Sequence, residues 1–383
     1  LSGGNENPPN SDYYQHRLYI NDGKGSFTRP MGVLPRLTNS GGAVASIDYD
    51  KDGDMDLMIG GRSVPGVYPT LPNSYLLQNN KGKFTDVTEN IFPDLKKIGM
   101  VTDIKVADLN GDKNNEVVIT GEWMPIQVFS YQSNSFKTET SNYGLGQTNG
   151  WWNCIEIIDI DKDGDLDIVG GNFGTNSRLT ASTEFPLTIY AKDFDNNGAI
   201  DPIITHWQDG IEYPLVMKDP LIKQIPSLRK KYLYYRDYAV AKIDDVFPSK
   251  DLKEALKLKV YTFSSTIFTN NNGKFNAEKL PTEAQIAPIQ SITTGDVNKD
   301  GNIDLIMVGN NYGMEVETGR MDALNGVVLL GKGNGKFEFS QNFKNGFWAN
   351  NDARQIGWLK IKNIENIIVA NNNDNYQIFK VVN

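Results

Sequence analysis

Short apolar strands of two kinds follow one another along this chain, and an acidic turn separates them. Before the turn, apolar and polar residues alternate, as in Ala43–Ile47 and Cys154–Ile158, which is typical of a strand. After the turn the residues are almost all apolar, as in Leu57–Ile59 and Leu305–Val308. A third strand, such as Ser74–Gln78, leads through an Asn- and Gly-rich turn to a strand that carries a phenylalanine. The pattern predicts four short antiparallel strands per repeat.

The acidic turn is the strongest internal repeat in the sequence. Five nine-residue copies begin at Asp48, Asp108, Asp159, Asp193 and Asp296. A Gly-x-Phe element keeps step with them, because the next turn begins 21 residues after Phe27 and Phe275 and 24 residues after Phe84. A sixth repeat begins at Trp358 with its acidic turn eroded. Such regular spacing decides the architecture before any single element is assigned.

Four short antiparallel strands in roughly 50–60 residues are typical of one blade of a β-propeller. A single blade cannot cover both of its faces, so blades must stack in a closed ring. We therefore predict an all-β fold: a β-propeller of four-stranded antiparallel blades, with seven blades rather than the alternative six, in one domain spanning residues 1–383. The end segments Arg17–Arg29 and Trp358–Asn383 are predicted to complete a shared blade, which would hide the edge strands.

The acidic turns carry the chemistry of a cation site. Oxygen atoms at positions 1, 3, 5 and 9 can converge on one ion with the backbone carbonyl of position 7, and glycine at position 6 permits the sharp turn in most copies. Oxygen ligands without histidine or cysteine favour Ca²⁺ over zinc or copper, so we predict about five calcium sites. The candidate metal residues, at positions 1, 3, 5, 7 and 9 of each turn, are Asp48, Asp50, Asp52, Asp54, Asp56; Asp108, Asn110, Asp112, Asn114, Glu116; Asp159, Asp161, Asp163, Asp165, Asp167; Asp193, Asp195, Asn197, Ala199, Asp201; and Asp296, Asn298, Asp300, Asn302, Asp304.

The second turn departs from the pattern, because its glycine is at position 4 and Glu116 replaces the last aspartate. We expect that site to bind differently or more weakly. The alternative is that aspartate and glycine simply populate surface turns. Five copies in phase with strands argue against it, since clustered carboxylates repel one another unless a cation neutralises them.

Composition and charge exclude several classes of protein. The 383 residues include 38 Lys and Arg, 47 Asp and Glu and a single cysteine, with a net charge of −9. The acidic balance argues against nucleic acid as a partner, and one cysteine excludes a disulfide framework or a cysteine-rich zinc site. No apolar run approaches the roughly 18–20 residues of a transmembrane helix. Five Ca²⁺ ions would nearly neutralise the chain.

These repeats resemble the FG-GAP/VCBS family of calcium-binding β-propellers, and most of all the bacterial branch related to proteins that contain an ASPIC/UnbV segment. The resemblance rests on the five turns and covers nearly the whole chain. It implies an exported or outer-membrane-associated protein of the bacterial cell surface, usually not an enzyme, that binds a protein or glycan as part of a surface assembly. Because no ASPIC/UnbV segment is visible, we expect this chain to be a piece of a longer protein.

Between the fourth turn and Phe275 the repeat is interrupted by a segment with a different pattern. Residues 218–258 are predicted to form a helical insertion. Basic and aromatic residues mix within it, as they do at partner surfaces. The predicted partner-binding residues are Arg229, Lys230, Lys231, Tyr232, Tyr235 and Arg236. In the alternative interpretation, the tyrosines pack the helices onto the propeller while the charges are solvated.

Three functions fit the sequence. The favoured one is a non-catalytic, calcium-stabilised propeller on the bacterial envelope that binds a partner. The second is a polysaccharide lyase-like enzyme, which would need a cleft faced by His206 or by a lysine–tyrosine pair. The third is a purely structural module of a larger adhesin. A lone histidine without a paired acid is a weak indication of catalysis, so no catalytic residue is predicted.

Overall fold

The computed structural model describes residues 1–315 and 318–382, and antiparallel strands dominate them. In chain order the strands are β1 (Ile20–Asn21), β2 (Phe27–Thr28), β3 (Ser40–Ile47), β4 (Asp56–Ser63), β5 (Tyr75–Asn80), β6 (Lys83–Asp86), β7 (Met100–Ala107), β8 (Glu116–Met124), β9 (Gln127–Gln132), β10 (Ser135–Thr138), β11 (Gly150–Trp151), β12 (Cys154–Ile158), β13 (Asp167–Gly171), β14 (Leu187–Lys192), β15 (Asp201–Gln208), β16 (Ile211–Pro214), β17 (Leu256–Val260), β18 (Thr266–Asn270), β19 (Phe275–Lys279), β20 (Ile289–Gly295), β21 (Asp304–Gly309), β22 (Val327–Gly331), β23 (Phe337–Ser340), β24 (Ala353–Ile361), β25 (Ile364–Asn371) and β26 (Gln377–Lys380).

The helices are short. The α-helices are α1 (Thr88–Ile91), α2 (Lys218–Gln224), α3 (Tyr235–Ala239), α4 (Ile243–Val246), α5 (Ser249–Glu254) and α6 (Asn342–Asn345), and 3-10 turns lie at Asp12–Tyr14, Pro93–Lys97, Pro226–Lys230 and Thr282–Gln285. In the described part of the chain, none of them has the length and apolar character needed to cross a membrane.

The strands of the described residues form seven sheets, in the orders β1-β2, β3-β4-β5-β6, β10-β9-β8 with β7 and β11 also paired to β8, β12-β13-β18-β19, β16-β15-β14-β17, β20-β21-β22-β23 and β24-β25-β26. The predicted fold class is confirmed: the chain is nearly all-β and of the β-propeller class, four of the seven sheets in the described residues are four-stranded and antiparallel, and a helical insert is present. The count of seven blades stays a prediction. Each phenylalanine of the repeat lies in the last strand of its hairpin, at Phe27, Phe84, Phe136, Phe275 and Phe337. The strands from the two ends, β1-β2 and β24-β26, belong to separate sheets, so the predicted shared blade is not confirmed.

The contacts within the chain divide it into two compact units. The first comprises Leu1–Val101, Ser133–Ser135 and Leu179–Thr262, and the second comprises Thr102–Gln132, Phe136–Arg178 and Phe263–Asn383. The prediction of one domain over residues 1–383 stays a prediction.

In the second unit, neighbouring sheets share cores across their faces, and β12 lies against β20 while β20 lies against β24. The apolar strand β21 shows why the sequence after each acidic turn is almost continuously apolar. Leu305 and Met307 join the core shared with the β12-β13-β18-β19 sheet. Ile306 and Val308 join the core shared with the β24-β25-β26 sheet. Since alternate side chains point to opposite faces, a strand buried on both faces needs apolar residues at every position.

The first unit contains the insert, which is larger than the predicted helical segment. β13 pairs with β18, and the β16-β15-β14-β17 sheet lies between them in sequence. The helices α2 to α5 pack against this sheet, with Leu221, Ile225 and Val246 in the same buried cluster as Ile203. The helices end at Glu254, and the last predicted helical residues form β17 instead, because Leu256–Val260 pairs along β14.

Glycine at the end of β21 allows two backbones to approach closely. An added Cβ at Gly309 would lie 1.8 Å from the carbonyl oxygen of Pro288. We expect Gly309→Ala to lower the free energy of unfolding by about 1–3 kcal/mol, as overpacking does elsewhere. Gly357→Ala in β24 is the matched control, since an added methyl group there meets no atom within 4 Å. Denaturant titration should show a change below about 0.5 kcal/mol for the control; equal losses in both variants would contradict the packing argument.

Candidate metal sites

Each acidic turn joins two antiparallel strands, in the pairs β3–β4, β7–β8, β12–β13, β14–β15 and β20–β21. All five have the left-handed backbone at both position 4 and position 6. The φ angles at position 4 are 60° (Lys51), 75° (Gly111), 65° (Lys162), 60° (Asn196) and 59° (Lys299), and at position 6 they are 91° (Gly53), 70° (Lys113), 99° (Gly164), 88° (Gly198) and 86° (Gly301). The second turn therefore exchanges lysine and glycine between two positions of the same conformation.

A shared hydrogen-bond framework holds the five turns. The carboxylate of position 1 accepts the N–H of position 6 at 2.8–3.2 Å in every turn. The side-chain oxygen of position 5 accepts the N–H of position 7 at 2.7–2.9 Å. The carboxylate of position 9 accepts the N–H of position 2 at 2.8–3.3 Å. These bonds arrange the turn around its acidic side chains.

The carboxylate at position 9 is buried in all five turns, with 0–2 % of the residue exposed. Its second oxygen usually reaches the third strand of the same sheet. Asp56 accepts the N–H of Asn79 at 2.7 Å, and Asp167 accepts the N–H of Asn270 at 2.7 Å. Asp304 uses the third strand in the same way. In the insert the partner is instead the side-chain amide of Gln224 in α2, which donates to Asp201 at 3.1 Å. No sequence pattern predicts this role of Gln224, because the residue lies in a helix outside the repeat.

Burial raises the pKa of these carboxyl groups, and neighbouring aspartates add to the effect. The pKa of Asp56 and Asp167 rises to about 6, and the pKa of Glu116 rises to about 7. The pKa of Asp304 is also raised, again mainly by burial. Hydrogen bonds from backbone N–H groups oppose the shift in each case. Burial thus disfavours the ionised form of these acids unless a positive charge lies nearby.

Three of the turns gather carboxylates closely enough to hold one ion. The candidate ligand atoms of positions 1, 3 and 9 lie within 4.8 Å of one another in the sets Asp48, Asp50, Asp56; Asp159, Asp161, Asp167; and Asp193, Asp195, Asp201. In addition, Asp48 Oδ1 and Asp195 Oδ1 are buried and accept no hydrogen bond. A buried carboxylate oxygen without a donor is costly, and a cation would remove that cost. The residues present therefore fit a hard divalent cation.

The second and fifth turns carry asparagine at position 3, and its amide group faces the acids of its own turn. Asn110 Nδ2 donates to Glu116 at 3.2 Å, and Asn298 Nδ2 donates to Asp300 at 2.9 Å. In both turns the amide oxygen accepts the N–H of position 5. Fewer carboxylates therefore converge there, and the predicted ligand roles in these two turns stay predictions.

The side chains at position 7 point away from the carboxylate sets. Asp54 Oδ2 accepts the N–H of Lys81 at 2.9 Å, and Asp165 Oδ2 accepts the N–H of Asn272 at 3.3 Å. In the fourth turn the same position is Ala199, whose side chain has no oxygen that could bind a metal ion. This arrangement agrees with a role for the backbone carbonyl alone at position 7.

The predicted partner-binding residues of the insert lie in different environments. Arg229, Lys230, Lys231, Tyr235 and Arg236 are exposed, whereas Tyr232 is buried. The Tyr232 hydroxyl donates to the carbonyl of Asp245 at 3.1 Å, and its ring belongs to the core of the insert. Tyr232 is thus a packing residue, as the alternative interpretation expected. The partner-binding role of the others stays a prediction.

A cavity of about 450 Å³ lies between the β15–β16 hairpin and α3. Its wall includes His206 and Tyr213, whose ring centres are 6.5 Å apart. Lys218 and Tyr235 also line it, with the ammonium group 4.4 Å from the ring centre. The structure thus brings the histidine and a lysine–tyrosine pair to one cavity, although they are separated in sequence.

The raised pKa values lead to a test by pH. In a chelator, the free energy of unfolding should fall as the pH rises from about 4 to 7. The pKa of Asp56 and Asp167 is higher in the folded chain than the ordinary 3.8, so the folded state binds more protons in this window and rising pH favours the unfolded chain. Ionisation of each of these two groups would lower the free energy of unfolding by up to about 3 kcal/mol.

The matched variants for this pH test are Asp167→Asn and Asp94→Asn. Asp167→Asn should flatten the pH dependence measured by urea denaturation between pH 4.5 and 7.5. Asp94→Asn, at an exposed position, should leave it unchanged. Equal slopes in wild type and Asp167→Asn would contradict the prediction.

The shared backbone of the turns leads to a second test. The double variant G111K/K113G restores the Lys-x-Gly order of the first, third and fifth turns, and its free energy of unfolding should lie within about 0.5 kcal/mol of the wild-type value. Gly111→Lys alone places lysine at both left-handed positions and should lose about 1–2 kcal/mol. Denaturant titration of the three proteins distinguishes these outcomes. A double variant as unstable as the single one would show that the turns differ in conformation.

Comparison with known proteins finds a repeat family in part of the chain. Residues 10–59 and 108–170 match the family model described as FG-GAP-like repeat. No curated protein matches the chain. Among solved structures it is similar to a chain of the "Crystal structure of BBS1N in complex with ARL6DN, soaked with lead", at 9 % identity over 88 % of this chain and 91 % of that one, with a TM-score of 0.24, which is too low to support any inference. The chain therefore contains FG-GAP-like repeats in two regions, and these regions include its first three acidic turns.

Proposed function

We propose that this protein is a non-catalytic, calcium-stabilised β-propeller on the outside of a bacterial cell envelope, where it binds a partner as part of a surface assembly. The observation that carries the calcium proposal is the convergence of three carboxylates in each of three turns, two of which contain a buried oxygen without a donor. FG-GAP-like repeats indicate a propeller that serves as a protein-interaction module, and this fold is generally non-catalytic.

The donor set supports Ca²⁺ in particular. Carboxylate, amide and carbonyl oxygens are hard ligands, and the turns contain no histidine or cysteine. Mg²⁺ demands a nearly ideal octahedron and keeps several waters, whereas Ca²⁺ accepts six to eight oxygens in flexible geometry. Carbonyls and side chains spread over nine residues suit the more tolerant ion.

Sites as weak as those of extracellular calcium modules would be filled only outside the cytosol, which supports an extracytoplasmic location. Calcium modules outside the cell bind with dissociation constants of about 10⁻⁴–10⁻³ M. At roughly 1 mM calcium, one such site stabilises the folded chain by about 0.4–1.4 kcal/mol. Five sites together approach a typical folding free energy of about 5–15 kcal/mol. At cytosolic calcium concentrations the same sites would add almost nothing.

A comparison of position 1 with position 7 tests the calcium proposal. Asp48→Ala removes a carboxylate of the first set and should abolish binding at one site, lowering both the stoichiometry and the calcium-induced rise in melting temperature. Asp54→Ala should keep the site, because position 7 would contribute its backbone carbonyl. Isothermal titration and metal analysis after dialysis check both variants. Wild-type protein that melts at the same temperature in calcium and in chelator would refute the proposal.

A second function, a polysaccharide lyase-like enzyme, is favoured by the cavity that brings His206 to Lys218 and Tyr235. The hydrogen bonds oppose it. The Tyr235 hydroxyl donates to Asp219, which raises the pKa of the phenol, so the phenolate required of a base is disfavoured. Lys218 is also paired with Asp219 at 3.3 Å. Appearance of unsaturated products from an anionic polysaccharide, lost in His206→Ala, would establish the enzyme.

A further inference from the structure

The cavity of the insert opens within an exposed apolar surface. Met217, Tyr235 and Val240 line the cavity, and each is at least 59 % exposed. Leu233 and Tyr234, which lead into α3, are exposed to a similar extent. We call these five residues the docking surface. Large apolar side chains that cluster around a cavity are typical of a contact site and unusual for an ordinary solvated face.

Two basic side chains lie against the docking surface, and others are exposed elsewhere in the insert. Arg236 lies with its guanidinium 5.1 Å from the ring centre of Tyr234, and Lys218 lies over Tyr235. Arg229 and Lys230 are exposed and form no ion pair within residues 1–315 and 318–382. Residues 218–258 contain ten basic and six acidic side chains, although the whole chain has a net charge of −9. The positive charge is thus concentrated where the apolar side chains are exposed.

The acids of the insert are largely engaged by the insert's own sheet and helices. Asp251 and Glu254 pair with Lys192 of β14 at 2.6 and 2.8 Å. Asp219 accepts the Tyr235 hydroxyl, and Asp245 accepts the N–H of Lys242 at 3.0 Å. Asp219 pairs with Lys218 at 3.3 Å and Asp237 pairs with Arg236 at 3.4 Å, so these two cations are compensated. Because Arg229 and Lys230 are unpaired in the described chain, the insert still presents more unpaired positive than negative charge, which favours an acidic partner.

The exposed aliphatic side chains of the docking surface favour a protein partner over a glycan partner. Sugars are held by aromatic faces and hydrogen bonds, and the exposed side chains of Met217, Leu233 and Val240 supply neither. A protein partner can bury all three together with an anchor in the cavity. Aromatic and arginine residues around a pocket are also the composition of interface hot spots.

We propose that the docking surface binds an acidic protein segment, which places one aromatic or aliphatic side chain in the cavity and its carboxylates against the exposed basic residues of the insert. The inference rests on the proposed function of a binding module and names the chemistry of its partner. The cavity would bury the anchor side chain of the partner. The arginines and lysines would orient the acidic segment and accelerate its association.

The test uses fluorescein-labelled 12-residue peptides and the full chain in calcium. The probe peptide carries one central phenylalanine flanked by aspartate and glutamate. A second peptide replaces the phenylalanine with serine, and a third replaces the acids with lysine. Fluorescence anisotropy should give a dissociation constant on the order of 10 μM for the probe and values at least about tenfold weaker for both others. A probe that binds no tighter than either of the others would overturn the proposal.

Two exposed substitutions locate the site. Val240→Asp should weaken binding of the probe at least about tenfold, because it places a like charge beside the cavity. Phe343→Asp is the matched control, since Phe343 is an equally exposed apolar residue far along the chain in α6, and it should bind the probe as wild type does. Unchanged binding by Val240→Asp would also overturn the proposal. Both residues are exposed, so unaltered melting curves are expected and confirm that the variants fold.

An anionic glycan provides the competing outcome. Polygalacturonate that binds the wild type saturably, loses binding in Val240→Asp and leaves the phenylalanine peptide unbound would replace the protein partner with a glycan. The calcium proposal is judged separately, by the melting shift between calcium and chelator, so that the two failures are distinguishable.

Discussion

One buried carboxylate per repeat joins the acidic turn to the sheet below it. At position 9 it accepts an N–H from its own turn with one oxygen, and with the other, in three of the turns, an N–H from the third strand. A buried acid that is ionised must be compensated, and two backbone donors do this only in part, as the raised pKa of Asp56 and Asp167 indicates. Placing a divalent cation beside it would complete the compensation. The residue that orders the turn is thus also the one that favours an ion, so folding and metal chemistry share one side chain.

The same strand that begins with this carboxylate also connects neighbouring sheets. β21 starts at Asp304 and then contributes Leu305 and Met307 to one core and Ile306 and Val308 to another. A change in the position of the turn would move the strand relative to both cores, because side chains alternate between faces and a shift of one residue exchanges them. Within the second unit, the hydrogen bonds that position the acidic turn therefore also position the side chains of β21 in both cores.

The sequence predicted the features that repeat locally and missed those that depend on distant pairing. The five turns, their strands and the phenylalanine hairpins follow from spacing, and the left-handed position 6 follows from glycine in four turns. The exchange of Gly111 and Lys113 could be recognised only from the backbone, since lysine carries no sign that it will adopt a positive φ. The full size of the insert does not follow from the sequence, for another reason. Asn172 N donates to Ser265 Oγ across 93 residues, and no local pattern shows that β13 continues to β18. The sequence also predicts a partner-binding role for the buried Tyr232, because a mixture of tyrosines and lysines does not reveal which of these side chains are buried.

One short helix of the insert connects the proposed docking surface with the fourth acidic turn. α2 begins at Lys218, which lines the cavity, and ends at Gln224, whose side chain donates to Asp201 in the fourth acidic turn. In the first, third and fifth turns the third strand fills that role, and in the second turn Asn110 does, so the fourth turn is the one whose buried carboxylate accepts from the insert's helices. An ion bound by Asp201 would compete with the hydrogen bond from Gln224 at the end of α2. A peptide that contacts Lys218 would restrain the beginning of the same helix. Linkage requires any such effect to be mutual: if calcium at the fourth turn alters affinity at the docking surface, a bound segment alters the affinity of that turn for calcium by the same factor.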